Sequence, residues 1–191
     1  MTQAVRCRSV ECLFPTDPLT AYAIISDVVA NAAFSDELID VWWESRKDPS
    51  VVSVGDTFSS KNGFRAMRWT STSVVIQASP GRRFAFAVSG TDNPTAIWTF
   101  DIVAVDTGSR VTYTVQLGDG PSMFSVVTGG DPTRRAQAEA FRLDSFAEDM
   151  QHMLDGMAGR LTTTTRENSE PNGSGPSELN SRSGRPTVVP N

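Results

Sequence analysis

The chain has 191 residues, a formal charge of −5 and 39% hydrophobic residues. This length suits one domain with a single core and is short for two. Because the acidic balance is the opposite of the basic surface that binds phosphate backbones, the composition argues against a nucleic-acid partner.

The cysteines and the apolar stretches indicate where the chain resides. Cys7 and Cys12 are the only two cysteines. Their odd separation within one predicted strand directs them to opposite faces, so they cannot form a disulfide with each other. This favours a reducing compartment, and we predict the cytoplasm. The first residues lack a signal-peptide core, and the most apolar stretch, 21–34, is interrupted by polar side chains, so neither export nor stable membrane insertion is expected.

The N-terminal part of the chain alternates between strand and helix signals. A strand is predicted over 6–14, and the pair Asp17-Pro18 then begins a helix over 18–27. Residues 31–36 are a loop or a short helix, and 38–44 is a second strand. A hairpin follows, because Asn62-Gly63 is the dipeptide that best adopts a tight turn; it separates the predicted strands 58–61 and 64–72.

Three further strands present one large apolar face. Ser79-Pro80-Gly81 and Thr107-Gly108-Ser109 are turn signals, and apolar residues alternate with small or polar ones between and after them. The residues on the apolar face are Phe84, Phe86, Val88, Trp98, Phe100, Ile102, Val111, Tyr113 and Val115.

The longest helix is predicted near the C-terminus. Asp131-Pro132 provides a cap and a first-turn proline, and 133–161 contains no proline. Apolar residues recur at spacings of three and four, at Leu143, Phe146, Met150, Met153, Leu154, Met157 and Leu161. The charged residues assigned to the solvated face are Asp144, Glu148, Asp149, His152 and Asp155.

The composition changes after Leu161. Residues 162–191 are rich in Ser, Asn, Gly and Pro and have no aromatic residue, which predicts a disordered tail after a folded domain of residues 1–161. One strand, one or two short helices, a run of antiparallel strands and a long helix make an α+β domain, with a curved sheet wrapped around that last helix.

The order of these elements and four residue strings resemble the SRPBCC superfamily of START-like domains, and within it the polyketide cyclase/dehydrase and lipid-transport family. The resemblance spans about residues 6–160. The chain departs from many relatives at Asn31-Ala32-Ala33-Phe34-Ser35, where they have a Pro-x-Trp string. The four strings are Ile25-Ser26-Asp27, Val54-Gly55-Asp56-Thr57-Phe58, Ser79-Pro80-Gly81-Arg82-Arg83-Phe84-Ala85-Phe86 and Trp98-Thr99-Phe100.

The resemblance implies a helix-grip fold with a cavity between the curved sheet and the long helix. From the pattern alone, the same aromatic and methionine stripes also describe a filled core; the resemblance favours a cavity. Methionine is unbranched and polarizable, so such a wall adapts to ligands of different outline. The expected ligand-binding residues are Phe84, Phe86, Val88, Trp98, Phe100, Tyr113, Phe146, Met150, Met153 and Met157.

Few residues are candidates for chemistry. Tyr113 belongs to the inward set and would be a neutral donor in an apolar cavity, although a bond to a backbone carbonyl is the simpler role. Arg65 and Arg68 could reach into the concave face to hold a ligand oxygen, or pair with surface acids. Glu139 lies near the apolar stripe, where an apolar wall would raise the pKa of its carboxyl, or else on the surface.

The sequence offers little for metal, cofactor or triad chemistry. His152 is the only histidine and lies about 200° around the helix from Met150, so a solvated histidine is expected. One histidine and two separated cysteines provide no metal-ligand cluster, and no metal or cofactor is predicted. Gly129-Gly130-Asp131 lacks the lysine and the spacing of a phosphate loop.

Two functions remain open at this point. The first is a binding protein for an apolar small molecule such as a lipid, polyketide or isoprenoid. The second is an enzyme of the cyclase, aromatase or dehydratase kind that uses the same cavity. A groove for a partner's apolar segment is a third. Loop 118–130 is either a lid over the cavity or a permanently packed segment. The ligand, the oligomeric state and whether a reaction is catalysed are not determined by the sequence.

Overall fold

Seven strands and three α-helices make up the computed structural model, which describes residues 6–122 and 131–167, with side chains described as far as Leu161. A 3₁₀ turn over Ala32–Phe34 follows the second helix. The elements in chain order are β1 Cys7–Phe14, α1 Pro18–Ser26, α2 Val28–Asn31, β2 Leu38–Ser45, β3 Thr57–Phe64, β4 Met67–Ser79, β5 Arg83–Val88, β6 Ala96–Val105, β7 Gly108–Leu117 and α3 Pro132–Glu167.

The strands form one curved antiparallel sheet in the order β1-β7-β6-β5-β4-β3-β2. Since β1 and β2 lie at opposite edges, α1 and α2 carry the chain from one edge to the other. The long helix α3 lies along β1 and β7 and faces the concave side of the sheet. This confirms the predicted α+β helix-grip fold.

The core forms where the apolar stripe of α3 meets the apolar faces of the strands. Pairing between strands places Phe84 opposite Phe100 and Phe100 opposite Tyr113, so the alternation predicted for β5, β6 and β7 directs these rings to one face. The largest fully buried apolar side chains are Phe14, Ile25, Val75, Phe84, Val111, Val115, Leu143, Met150, Leu154 and Met157.

The predicted turn at Asn62-Gly63 is wrong. Both residues lie inside β3, and the chain turns two residues later at Arg65 and Ala66, with Phe64 paired to Met67. The Asn62 amide donates to the Ser60 carbonyl and the Ser71 hydroxyl, which holds it within the sheet. A side chain at Gly63 would lie 3.0 Å from both Arg68 and Ile39, so close packing explains the glycine.

Helix α3 begins as predicted and ends later. The Asp131 carboxylate accepts hydrogen bonds from the backbone amides of Thr133 and Arg134, and Pro132 occupies the first turn. The helix continues to Glu167 rather than ending at Leu161, since the next proline is residue 171. The remainder of the predicted disordered tail, 168–191, lies outside the described residues.

Two general predictions concern disulfides and membranes. Cys7 and Cys12 are both free thiols, as their opposite orientation requires. In the described part of the chain, no helix combines the length and the apolar character needed to cross a bilayer.

Candidate functional site

A cavity of about 440 Å³ lies between the concave face of the sheet and α3. Its size is within the range of small-molecule sites, about 300–1,000 Å³. The side chains of the sheet and the helix therefore do not fill the space between them, and the cavity expected from the sequence is present.

One wall of the cavity is aromatic. Phe100 and Tyr113 stack with ring centroids 3.8 Å apart, and Trp98 contacts Phe146 edge-to-face at 4.9 Å. Phe86 continues the wall beside Trp98, with centroids 6.4 Å apart. These stacked and edge-to-face contacts fix the orientation of each ring, so the wall is a rigid apolar surface.

Eight of the ten side chains expected to bind ligand line the cavity, and two do not. Phe84 and Met150 are fully buried behind the wall, where Phe84 contacts Tyr22 and Phe100. Both belong to the hydrophobic core cluster instead. The eight lining residues are Phe86, Val88, Trp98, Phe100, Tyr113, Phe146, Met153 and Met157.

Tyr113 brings a hydroxyl to the aromatic wall. The side chain is buried and lines the cavity, and its hydroxyl has no hydrogen-bond partner among the described residues. Burial raises the pKa of this hydroxyl well above its ordinary value, and the negative charge of Asp149 adds to the effect. Tyr113 therefore stays protonated and offers a neutral donor.

Asp149 lines the cavity, which corrects its assignment to the solvated face of α3. Its carboxylate accepts from the Ser35 hydroxyl at 2.9 Å and from the Asp36 amide at 2.6 Å. Asp149 is three residues from Phe146 and four from Met153, and this spacing is the signal that places it on the inner stripe. Asp144, Glu148 and Asp155 are exposed as predicted.

The environment of Asp149 favours its neutral form. Burial raises the pKa of this carboxyl above its ordinary value of 3.8, against the lowering effect of its bonds from Asp36 and Ser35, and the nearby carboxylates of Glu37 and Asp36 raise it further. The Asp149 carboxyl therefore holds its proton up to a higher pH than an exposed aspartate does.

We expect Asp149→Asn to change the pH dependence of stability. A carboxyl whose pKa is higher in the folded than in the unfolded state binds its proton more tightly when folded. Protonation therefore stabilises the fold as the pH falls from the folded-state pKa to the unfolded-state pKa. Above the folded-state pKa this contribution is absent. The unfolding free energy of the wild type, relative to Asp149→Asn, should therefore rise in urea titrations as the pH is lowered from neutral towards 3.8, the ordinary pKa of the carboxyl. Exposed Asp144, replaced by asparagine, is the control. Parallel curves for the wild type and Asp149→Asn would contradict the expectation.

A buried ion pair between Arg142 and Glu37 lines the cavity together with Asp149. The Arg142 guanidinium donates two hydrogen bonds to the Glu37 carboxylate and lies 3.8 Å from the centroid of the Phe146 ring and 4.4 Å from that of Phe64. The Arg142 side chain is only 3% exposed. Sequence reasoning missed this pair, although Arg142 lies four residues before Phe146 on the inner stripe.

Glu139 lines the cavity mouth, but not within an apolar wall. Its carboxylate accepts hydrogen bonds from Arg6 at 3.1 Å and from Arg135 at 2.9 Å, and Arg6 also pairs with exposed Asp119. Of the two environments considered for Glu139, the apolar wall is therefore wrong, because two guanidinium groups contact its carboxylate. The pairing joins the residue before β1, the segment after β7 and the start of α3.

Arg65 and Arg68 do not line the cavity. Arg65 lies in the turn with a φ of 52° and its guanidinium is 5.0 Å from the centroid of the Phe141 ring. Arg68 donates to the backbone carbonyls of Arg65 and Met67. Both are exposed, since the turn lies beyond Asn62-Gly63 and directs them away from the concave face. Arg68 is therefore not a candidate catalytic residue.

A second wall, on β3 and β4, carries polar side chains among the apolar Phe58, Phe64, Met67 and Trp69. Ser60 lies opposite Ser71 in the strand register, and Ser73 lies opposite Phe58 on the same face. Asn62 completes this wall through its bond to Ser71. Sequence reasoning missed the wall because the assumed turn interrupted the alternation of Phe58, Ser60 and Asn62.

The remaining candidates lie outside the cavity or outside the described residues. His152 is exposed and its Nδ1 lies 3.1 Å from a carboxylate oxygen of Asp36, as a solvated histidine would. Among the described residues, no cluster of histidine, cysteine and carboxylate side chains has the arrangement of a metal site. Pro121 and Ser122 line the cavity, but most of the predicted lid, 123–130, lies outside the described residues.

Comparison with protein families decides the relationship of this chain. The model of the family described as polyketide cyclase / dehydrase and lipid transport matches residues 9–162. The chain belongs to this family. The match covers β2 to β7, all but the first two residues of β1 and most of α3, close to the range of the resemblance. No curated protein matched the sequence significantly.

Solved structures share the fold at low sequence identity. A polyketide-cyclase-like protein from Corynebacterium glutamicum has 17% identity and a TM-score of 0.60, covering 90% of this chain and 100% of that one. The Zhui aromatase/cyclase from a Streptomyces species has 13% identity and a TM-score of 0.62, covering 85% and 98%. The di-domain aromatase/cyclase StfQ of the steffimycin pathway has 10% identity and a TM-score of 0.64; the match covers 84% of this chain and 51% of StfQ. These identities support the fold alone.

Proposed function

We propose that this protein binds an apolar small molecule, of the lipid, polyketide or isoprenoid kind, in the cavity between the sheet and α3. The observation that carries the proposal is a cavity of about 440 Å³ faced by the stiff wall of Phe86, Trp98, Phe100 and Phe146. If no ligand were bound, packing the side chains together to fill this space would gain about 25 cal/mol of free energy for each Å² of apolar surface buried. The eight lining residues expected from the sequence are the proposed contacts.

The compartment is part of the proposal. The free thiols of Cys7 and Cys12 support a reducing environment such as the cytoplasm. The paired charges of Arg6 and Glu139 at the cavity mouth leave the entrance without a net attraction for phosphate or nucleic acid.

A cyclase-type enzyme is the second candidate, and one arrangement favours it. Tyr113 offers a protonated hydroxyl and Asp149 a carboxyl with a raised pKa, and both line the same cavity. The Tyr113 hydroxyl could donate a hydrogen bond to a carbonyl compound held against the aromatic wall, and the Asp149 carboxyl could give a proton to that compound or, when ionised, take one from it. Structural neighbours named aromatase/cyclase are consistent with this chemistry.

We expect Ala96→Trp to weaken binding of an apolar probe. Ala96 lies on the concave face of β6 and lines the cavity, so an indole there occupies the ligand volume. Binding of N-phenyl-1-naphthylamine, followed by its fluorescence increase, should weaken by about tenfold or more, equivalent to at least about 1.4 kcal/mol. Val103→Trp adds the same ring to the exposed face of the same strand and should leave binding unchanged.

Two outcomes would contradict the binding proposal: no saturable probe binding by the wild type, or unchanged binding by a folded Ala96→Trp variant with a thermal transition like that of Val103→Trp. Native mass spectrometry and organic extraction of the purified protein then identify any ligand that it carries. Incubation with that compound separates the two candidates, since a binding protein returns it unchanged and an enzyme converts it.

A further inference from the structure

Asp149 lies in the wall between the cavity and a smaller recess at the surface. The recess has a volume of about 180 Å³, and the exposed side chains of Asp36, Arg65 and Glu148 are part of its lining. Asp149 and Glu37 line both the cavity and the recess. Asp149 therefore borders an apolar space on one side and a solvent-accessible space, through which protons reach it, on the other.

The charge of Asp149 differs from that of the other carboxylates in the cavity wall. In the described part of the chain, three carboxylates line the cavity. Glu37 is paired with Arg142, and Glu139 is paired with two arginines. Asp149 accepts hydrogen bonds from a hydroxyl and a backbone amide and forms no ion pair with the described residues. It is therefore the lining carboxylate whose charge no cation offsets.

The groups around Asp149 come from four parts of the fold. Two carboxylates in the segment before β2 raise the pKa of Asp149, and the hydroxyl of Tyr113 on β7 stays protonated. Arg142 is bonded to Glu37. The other two basic groups, on α3 and in the β3–β4 turn, contact a different carboxylate and an aromatic ring. The charged and titratable groups around Asp149 are Asp36, Glu37, Arg65, Tyr113, Arg142, Glu148 and His152.

An apolar ligand in the cavity removes water from the side of Asp149 that borders it. Loss of hydration disfavours a charged carboxylate much more than a neutral carboxyl. The partial burial that Asp149 already has raises its pKa above the ordinary value of 3.8, and a ligand adds to this effect. The ionised form of Asp149 thus opposes binding of the ligand, and the neutral form does not.

The contacts of Asp149 accommodate both protonation states. Its Oδ1 accepts from the Asp36 amide at 2.6 Å, and the Ser35 hydroxyl lies 3.1 Å from Oδ1 and 2.9 Å from Oδ2. When a proton occupies Oδ2, the Ser35 hydroxyl can donate to Oδ1, which has two lone pairs. Protonation therefore leaves the segment before β2 attached to α3.

We propose that the cavity takes up an apolar ligand and a proton together, and that Asp149 is the group that is protonated. The affinity for an uncharged ligand then rises as the pH falls from neutral. Because such coupling is reciprocal, the bound ligand makes Asp149 hold its proton more tightly by the same factor. This inference rests on the proposed binding function and adds its regulation by pH.

The test follows the fluorescence of N-phenyl-1-naphthylamine in titrations from about pH 8 to about pH 5. This diarylamine is uncharged throughout that range, so a change in affinity reports on the protein. We expect the dissociation constant of the wild type to fall by about threefold or more as the pH is lowered. Asp149→Asn removes the charge and keeps the size of the side chain. At the alkaline end it should bind the probe about threefold or more tightly than the wild type, with an affinity that does not depend on pH.

Asp144→Asn and His152→Gln are the matched controls, because both side chains are exposed and lie on the same helix. Each should keep the pH dependence of the wild type. His152→Gln also removes the single imidazole of the chain as an alternative source of that dependence.

Two results would overturn the inference and leave the proposed binding function intact. The first is a wild-type affinity that does not rise as the pH falls, which is decisive whether or not the variant folds. The second is a folded Asp149→Asn variant that retains the pH dependence or binds the probe no more tightly than the wild type at the alkaline end. Absence of saturable probe binding by the wild type at every pH would overturn the proposed function and this inference together.

Discussion

Replacing Glu37 by glutamine is expected to lower the free energy of unfolding by about 3 kcal/mol, because it leaves the charge of Arg142 buried without a counter-charge. The Arg142 side chain is 3% exposed and that of Glu37 is 12% exposed, so bulk water compensates poorly for the lost partner. Two aromatic rings beside the guanidinium recover only part of the loss. For a domain of this size, the melting temperature should fall by roughly 6–12 °C.

Two comparisons test whether the loss of stability comes from the burial of an unpaired charge or from the loss of an ion pair as such. Asp101→Asn breaks the exposed pair with Arg83 and should cost less than about 1 kcal/mol. Glu37→Leu combined with Arg142→Met removes both charges and should be more stable than Glu37→Gln, since no buried charge is left unpaired. Similar losses for Glu37→Gln and Asp101→Asn in urea unfolding would contradict the assigned burial.

Gly156→Ala is expected to destabilise the protein, although alanine is the better helix former. A Cβ at residue 156 would lie 2.4 Å from Cδ1 and 3.0 Å from Cβ of Phe34, which packs from the 3₁₀ turn against α3. The ring cannot move away without shifting its backbone, and overpacking of this kind costs about 1–3 kcal/mol. That loss exceeds the gain of about 1 kcal/mol in helix propensity.

Gly159→Ala, on the same helix, is expected to have the opposite effect on stability. A Cβ there meets no atom of the described residues within 4 Å, so the substitution should stabilise the fold by about 0.5–1 kcal/mol through helix propensity. Thermal unfolding of the two variants tests the packing of Phe34 on α3. A stabilised Gly156→Ala would mean that Phe34 does not lie against the helix as described.

The sequence-based predictions agree with the structure where they depend on neighbouring residues, and they fail where they depend on residues far apart in the chain. Period-two alternation in β5, β6 and β7 and three-to-four spacing in α3 predict faces correctly, because each pattern is set by local backbone geometry. Asp149 shows the limit of this reasoning, since one helix face borders both solvent and the cavity. Its position depends on Ser35 and Asp36, which are more than 110 residues away along the chain.

The turn between β3 and β4 shows a second limit. Asn62-Gly63 has the strongest local turn preference, yet the hydrogen bonds of Asn62 within the sheet and the packing of Gly63 against Arg68 and Ile39 place the turn at Arg65. Tertiary contacts worth a few kcal/mol outweigh a local preference of about 1 kcal/mol. The shift of the turn also moved Arg68 away from the cavity and brought Ser60 and Asn62 into it.

The sequence by itself determined the element order, the inward faces of the central strands and the apolar stripe of the long helix, because these depend on neighbours a few residues apart. Only the tertiary structure decided that Arg142 pairs with Glu37, that Arg6 and Arg135 neutralise Glu139, and that two serines face an unfilled volume. Charge pairing and cavity shape depend on distances between residues that the chain separates widely, and periodicity carries no information about them.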